Sequence, residues 1–198
     1  MFNVAIVGYG AIPIGKYPQE SETDLAVEAI SRALENAKMN KEELQGIITT
    51  PNYANTIELQ TSLVQAAMDL PINVAYSIGC GGVSGGLALK NAIYEIQMGF
   101  VDTVVIYSAD REYSLGSRIL EILHEDGKGP AFFEPLDQPS CPVGFIWGYA
   151  CSARRYMHDY GASEEDFARA VIRNNKNAQK NPFATFRKSI TIDDVLNS

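Results

Sequence analysis

The stretch Ser77 to Leu89, SIGCGGVSGGLAL, holds a cysteine, a serine inside a G-x-S-x-G, and more glycine than either nucleophile needs. It follows an apolar run of strand character and leads into a run of helical character, so two nucleophiles are offered at one strand-to-helix turn. Cys80 stands just before the helix, where the dipole and free N–H groups favour a thiolate. Its alternative role is that of a small buried hydrophobe. Ser84 fits the nucleophile elbow in Gly82-Val83-Ser84-Gly85-Gly86, in which a sharp turn exposes the hydroxyl and backbone N–H groups form an oxyanion hole. A hydrolase also needs an acid and a histidine downstream, and the chain holds only His124 and His158. His158, in RRYMHDYG, falls within an amphipathic helix, as a solvated residue would. The competing role for Ser84 is a helix N-cap or first-turn residue, small enough to permit close packing.

Two other motifs carry less chemistry. Gly8-Tyr9-Gly10 follows a strand-like run as in dinucleotide-binding turns, but Pro13 takes the next fingerprint position and Pro18 intervenes before the helix. A tight turn into a surface loop fits better. Asn174-Asn175-Lys176-Asn177 and Asn181-Pro182 read as helix C-capping and turn chemistry in preference to ligand contact.

These residues have to be positioned by elements that alternate short apolar runs with longer helical periods, the pattern of an α/β domain with a largely parallel sheet. NVAIVGYG is the first strand candidate, followed by Gly46 to Pro51, Ile72 to Ile78 and Asp102 to Asp110. Helices are expected over Thr23 to Met39, behind the capping-box spacing of Ser21 to Asp24, over Ile57 to Leu70, and over Val83 to Met98. The last of these carries only Lys90 and Glu95 as charges, with Gly85, Ala88 and Ala92 as a ridge of small residues. A helix apolar nearly all round is expected to be buried nearly all round, here between two layers. After Arg111 come glycines and prolines from Gly127 to Pro142, then amphipathic helices over Val143 to Tyr160 and Ser163 to Gln179, which read as a helical flap.

The composition excludes several classes. Over 198 residues the formal net charge is -8, and no basic stripe suits nucleic acid. No apolar run approaches the length of a membrane span. Cys80, Cys141 and Cys151 form no C-x-x-C pair, so neither a disulfide framework nor a metal site is expected, and the thiols read as reduced. A strand-like run begins directly after Met1-Phe2-Asn3, with no basic n-region and apolar h-region, so no signal peptide is expected, and the acidic charge balance favours a soluble cytoplasmic protein. The ending SITIDDVLNS breaks off on a starting helix, as part of something longer would.

VAIVGYGAIPIGKYP, the capped helix SETDLAVEAISRALENA, LQGIITTP and SGGLALKNAIYEIQMGFVDTVVIYSAD together resemble the N-terminal half of the thiolase superfamily. The later run from YMHDYGASEEDF to ITIDDVLNS is similar to the loop domain of sterol-carrier-protein-type thiolases. The resemblance implies an α/β fold, a thiolase-like βαβαβαββ layered half with a helical loop domain: 1–118 the core, 119–189 the loop or flap domain, and 190–198 the start of a return to the core. It implies acyl-CoA chemistry, an acyltransferase forming or cleaving a carbon–carbon bond next to a thioester in lipid metabolism. Coenzyme A thioester would be the substrate, with no bound cofactor.

The family cysteine opens the buried helix in a pattern like C-x-S-G-x-x-A-L; here Ser84, Gly85, Ala88 and Leu89 match, and the cysteine position falls on Gly82. If the chain is still extended at that point, Cys80 points to the same side as Gly82, as a displaced thiol would. Cys80 is thus the catalytic candidate, Gly82 and Ser84 border the substrate, and Arg154 and Arg155 either meet the CoA phosphates or form a solvated helix face. The glycine at 82 also resembles a branch of cysteine-less aldolases that pair with an OB-fold/zinc-ribbon protein, or a non-catalytic subunit. The histidine and second cysteine of thiolase chemistry belong to a second half. An apolar helix without that half implies a homodimer or a hetero-assembly, with no nucleic-acid and no membrane partner.

Overall fold

A computed structural model describes residues 3–50, 59–111 and 145–198, of which 145–147 are described as helical backbone only. The chain divides into two compact units, one made of Met1–Ile12 with Lys16–Leu115, the other of Pro13–Gly15 with Gly116–Ser198.

The first unit is an α/β layer structure. Its described elements are α1 (Glu22–Ala37), a 3-10 turn (Lys41–Glu43), β1 (Gly46–Thr49), α2 (Gln60–Met68), β2 (Val74–Ser77), α3 (Ser84–Gln97) and β3 (Val104–Tyr107). The three strands form a parallel sheet in the order β2-β1-β3, with Ile47 opposite Ala75 and Val105, and Ile48 opposite Tyr76 and Ile106. Adjacent strand residues point to opposite faces. Ile47, Val105 and Tyr107 therefore meet Ala26, Ile30 and Val64 of α1 and α2, while Ile48, Val104 and Ile106 meet Ala88 and Ala92 of α3. Ile47 and Ile48 are both 0% exposed, one serving each face of the central strand. Burial on both faces is why β1 reads as a continuous apolar run.

Local chemistry starts and stops α1. Ser21 accepts from the Asp24 backbone N–H at 3.1 Å while the Asp24 carboxylate accepts from the Ser21 N–H at 2.8 Å, a reciprocal capping box. At the other end Lys38 adopts a left-handed conformation and returns its N–H to the Glu35 and Leu34 carbonyls.

Two expectations for this unit are corrected. NVAIVGYG forms no strand: residues 3–10 run without turn or bend and pair with no described strand. The reason is that β3 ends the described sheet and a cavity separates it from this segment. Gly8 and Gly10 instead let the segment press on α1, where a Cβ at Gly10 would lie 2.1 Å from the Ala29 carbonyl oxygen, and one at Gly8 would lie 2.5 Å from that of Ala33. Nor is α3 buried all round. Its packed ridge is Ser84, Ala88 and Ala92, at a spacing of four, and Gly85 faces open space. Leu89, Tyr94 and Met98 are exposed, because no described residue covers the side of α3 away from the sheet.

The second unit contains α4 (Phe145–Tyr160), α5 (Glu164–Ala178) and the short α6 (Ile192–Leu196). Gly161, at φ 68°, ends α4 by donating its N–H to the Met157 carbonyl, and Ser163 with Asp166 caps α5 as Ser21 and Asp24 cap α1. Tyr156 packs against Tyr160 and Phe167 across that turn. Asn175 is buried and donates to the Phe186 and Lys188 carbonyls, so it does more than terminate a helix: it holds the chain that follows. Asn181 makes the expected turn, its side chain accepting from the Phe183 N–H. Pro13–Gly15 belongs to this unit through the Ile14 N–H to Phe183 carbonyl bond of 3.0 Å. The glycine- and proline-rich run 127–142, His124, Cys141 and the expected boundary at 118 lie outside the described residues. No helix among the described residues is long and apolar enough to cross a membrane.

Candidate functional site

β2 leaves the sheet after Ser77, with the Ile78 N–H still donating to the Thr49 carbonyl of β1 at 2.9 Å. Within a few residues the chain must reverse direction to start α3 against the same sheet. Gly81 makes this possible at φ 53°, a left-handed conformation that costs an L side chain about 1–2 kcal/mol. The Val83 N–H then donates to the Cys80 carbonyl and the Ser84 N–H to the Gly81 carbonyl.

Ser84 locks this turn. Its Oγ accepts from the Cys80 backbone N–H at 2.8 Å and donates to the Gly81 carbonyl at 2.7 Å, and the side chain is buried. Both functions of the hydroxyl are thereby engaged by backbone, as in a first-turn residue of α3. The unit that carries Ser84 contains no histidine, and His158 belongs to the other unit, where it is exposed and 3.0 Å from the Asp159 carboxylate. Among the described residues of its own unit, Ser84 has no histidine to act as its base.

Cys80 is exposed with a free thiol. The premise that residues 80 and 82 lie along extended chain is corrected: the left-handed Gly81 and the Cys80-to-Val83 hydrogen bond make this a turn, so strand alternation does not relate the two positions. Gly82 lies in open space outside the left-handed region, and a Cβ there meets nothing within 4 Å. A side chain at 82 is therefore allowed on steric grounds. Gly85 and Gly86 are equally open, which leaves the first turn of α3 with exposed backbone and no side chains over it.

Below the turn, the Tyr76 hydroxyl of β2 donates to Glu95 of α3 at 3.1 Å. Partial burial and this neighbouring carboxylate push the phenol up to about 12. Sequence reasoning missed the pair because no local motif links residues 19 apart; the lone acid on a nearly uncharged helix was the one available sign. The structure thus brings Cys80, Gly82 and Ser84 together at one turn. Arg154 and Arg155 stand on α4 of the other unit with exposed side chains, Arg154 3.9 Å from Glu164 and Arg155 2.6 Å from Asp159.

The chain matches no protein-family model. It is 32% identical, over 98% of its length and 50% of the relative's, to 17-hydroxy-3-oxo-4-pregnene-20-carboxyl-CoA lyase of Mycobacterium tuberculosis (strain ATCC 25618 / H37Rv). It is 27% identical, over 98% of its length and 48% of the relative's, to benzoylsuccinyl-CoA thiolase subunit BbsB of Thauera aromatica. Among solved structures, an Ltp2-ChsH2(DUF35) aldolase superposes with a TM-score of 0.75 at 29% identity, over 98% of this chain and 48% of that one. The chain thus spans about half the length of the relatives it matches. A parallel sheet between helices, a glycine turn opening the helix that follows β2, and similarity that runs through both units agree with one another: the chain belongs to the thiolase superfamily.

Proposed function

We propose that this chain is one half of a thiolase-type enzyme that makes or breaks a carbon–carbon bond next to a coenzyme A thioester, with the turn from Cys80 to Gly86 as one wall of the site. The observation that carries the reading is the open, side-chain-free first turn of α3 at the position where the family nucleophile would stand. Cleavage beside a thioester leaves negative charge on the thioester oxygen. Backbone N–H groups at a helix start can hold that charge without a covalent intermediate. Gly82 in place of a cysteine favours aldolase-type chemistry, in line with the similarity to a CoA lyase and to a solved aldolase.

A second reading keeps the acyltransferase activity of the family, with Cys80 as a displaced nucleophile; the exposed thiol at the same turn favours it. In either case the chain acts in an assembly. An OB-fold/zinc-ribbon protein is the partner in the aldolase reading, supported by similarity to an aldolase named for two components. A homodimer is the alternative. Arg154 and Arg155 would contribute charge to the CoA phosphates, and the free thiols of Cys80 and Cys151 suit a cytoplasmic setting.

Intact mass measured before and after incubation of the assembled protein with acetyl-CoA and a longer acyl-CoA separates the readings. The aldolase reading expects no acyl adduct on the native chain. An adduct that disappears in Cys80→Ala would replace it with the acyltransferase. Gly82→Cys, which the open space at 82 accommodates, should acquire an adduct if the turn lines the thioester site. Absence of CoA-ester binding by native protein and Gly82→Cys alike would sink both.

A further inference from the structure

Residues 145–198 hold eight lysines and arginines against six aspartates and glutamates, in a chain whose net charge is -8. Ion pairs sort these charges along the second unit. Arg154 stands 3.9 Å from Glu164, Arg155 2.6 Å from Asp159 and Arg169 2.9 Å from Glu165, so the cations of α4 and of the first half of α5 have local partners. Arg173, Lys176, Lys180, Arg187 and Lys188 are exposed and form no ion pair among the described residues. The helix dipole favours cations in the last turn of α5, but it gives no reason for Arg187 and Lys188, which are not on the helix.

Scattered along the sequence, these five cations are gathered by the fold. Arg173, Lys176 and Lys180 are three and four residues apart, and helical turns continue past Ala178 through the Lys180 N–H to Asn177 carbonyl bond of 3.1 Å. They therefore share one side of α5 over about 10 Å. Buried Asn175, next to Lys176, donates to the Phe186 and Lys188 carbonyls at 3.4 and 3.0 Å, which brings Arg187 and Lys188 beside the same stretch of helix. α6 packs on α5 and adds two carboxylates, Asp193 and Asp194. Asp194 already accepts from the Thr191 N–H and hydroxyl, at 2.7 Å each, and feels the charge of Lys188. Five cations against these two acids leave a positive excess. One position on from each helical cation stands an amide, Asn174, Asn177 and Asn181. Asn181 makes its turn, but the Asn174 and Asn177 side chains are exposed and bond to no described residue, so neither serves as a cap.

We propose that this side of α5, with Arg187 and Lys188, docks an acidic helix of a partner protein. Carboxylates three and four residues apart on such a helix are spaced at roughly 5–6 Å, the spacing of Arg173, Lys176 and Lys180. Amides donate and accept at once, so Asn174 and Asn177 suit the mixed polar groups of a protein surface. A lipid surface takes apolar anchors between its cations, and here amides occupy those places. An extended polyanion such as nucleic acid meets the negative charge of the rest of the chain, whereas a short acidic segment, at a screening length of about 8 Å, meets only the local excess. Exposed charges of this kind set association rate and choice of partner more than affinity, so the contact is weak and salt-sensitive. The assignment does not rest on the acyl-CoA reading.

The probe is a labelled helical peptide of about 20 residues with glutamates three and four apart, beside the same peptide with glutamine in their place. With the full chain, fluorescence anisotropy should show saturable binding of the glutamate peptide, about tenfold weaker when salt rises from about 0.05 M to about 0.5 M. Lys176→Glu with Lys180→Glu should weaken binding at least about tenfold, and Lys176→Gln with Lys180→Gln, which adds no acid to the helix end, about threefold. Lys38→Glu with Lys90→Glu makes the same change of net charge at exposed cations of the first unit and should leave binding as it was. An equal loss in that control, equal binding of the glutamine peptide, or no saturable binding at all would overturn the assignment. Tighter lysine-dependent capture by vesicles of phosphatidylserine and phosphatidylcholine in equal parts, or by a single-stranded oligonucleotide, would do the same. Displacement of the peptide by free coenzyme A at equal concentration would assign the row to phosphate groups, and self-association lost in Lys176→Glu with Lys180→Glu would assign it to a second copy; either outcome replaces the acidic partner. None of these readouts requires turnover.

Discussion

The two faces of the β2-β1-β3 sheet present the same kinds of residue, yet one is closed and the other half open. On the α1–α2 face, Ile47 meets Ile30, Ala26 and Val64, and two helices cover the strands. On the α3 face, Ile48 is just as buried, but it rests on the two alanines Ala88 and Ala92 of a single helix whose far side is apolar and exposed, Met98 to 73%. α1 is an outer helix with charges turned to water, such as the Glu28 to Arg32 ion pair at 2.7 Å. The exposed part of α3 has a different composition: Tyr94 stands there with Lys90, which lies over the Tyr94 ring, and Leu89 is partly exposed beside the cavity next to β3. The difference teaches that equal burial of the strands does not make the layers equal. Among the described residues one face is finished, and the other ends in an apolar surface of the kind that folded proteins cover.

Truncation should show the contrast most strongly. Ile30→Ala, which empties a fully packed position, should lower unfolding free energy by about 3 kcal/mol in a denaturant titration. Leu89→Ala, from an exposed position on α3, should cost well under about 1 kcal/mol in the isolated chain. Comparable losses would mean that α3 is already covered in solution. Next in size, Ala88→Leu should destabilise by about 2 kcal/mol, because Ala88 is 0% exposed against Ile48 and the sheet cannot recede. A neutral Ala88→Leu would show that α3 floats on the sheet without close packing. Gly85→Ala should stabilise by about 0.5 kcal/mol, since the residue is helical and its surroundings are empty; thermal melts that show destabilisation would place Gly85 back in the packed ridge.

The smallest effects distinguish the faces by pH. In α1, hydrogen bonds from the Ser21 side chain and backbone hold Asp24 below its usual value of 3.8. The native state thus favours the charged form, and this contribution is complete above that pH and lost as pH falls through the depressed value. On the α3 face, Tyr76 is raised from 10.0 to about 12, so the native state favours the neutral phenol. Its contribution is intact below pH 10 and declines as pH climbs from 10 towards about 12. Denaturation midpoints across the pH range should show both limbs. Ser21→Ala should flatten only the acid limb and Tyr76→Phe only the alkaline one, and any crossover between them would contradict the separation of the faces.

Much of the fold was legible because it is local. The helices now seen at 22–37, 84–97 and 164–178 follow from apolar periodicity and side-chain caps, and β1, β2 and β3 from short apolar runs between turn residues. At the candidate site, the clustering of Cys80, Gly82 and Ser84 needed only their nearness in sequence. What failed needed a non-local or a conformational fact. The relation between Cys80 and Gly82 depended on Gly81 being left-handed, a choice glycine permits in either sense. The Tyr76–Glu95 bond and the grip of Asn175 on residues 186 and 188 join positions that no periodicity connects.

From sequence alone come the order of elements, their caps, the glycine turn before α3 and the apolar character of residues 4–7. Each follows from hydrogen bonds and packing within a few residues of chain. Only the tertiary structure decided that β3 and not the N-terminal run would flank β1, that Ser84 rather than Gly85 would be buried, and that a strand-like run would remain without a ladder partner among the described residues. A strand has no intrinsic hydrogen-bonding partner, unlike a helix, so its sequence states what it can become while its neighbours determine whether it does.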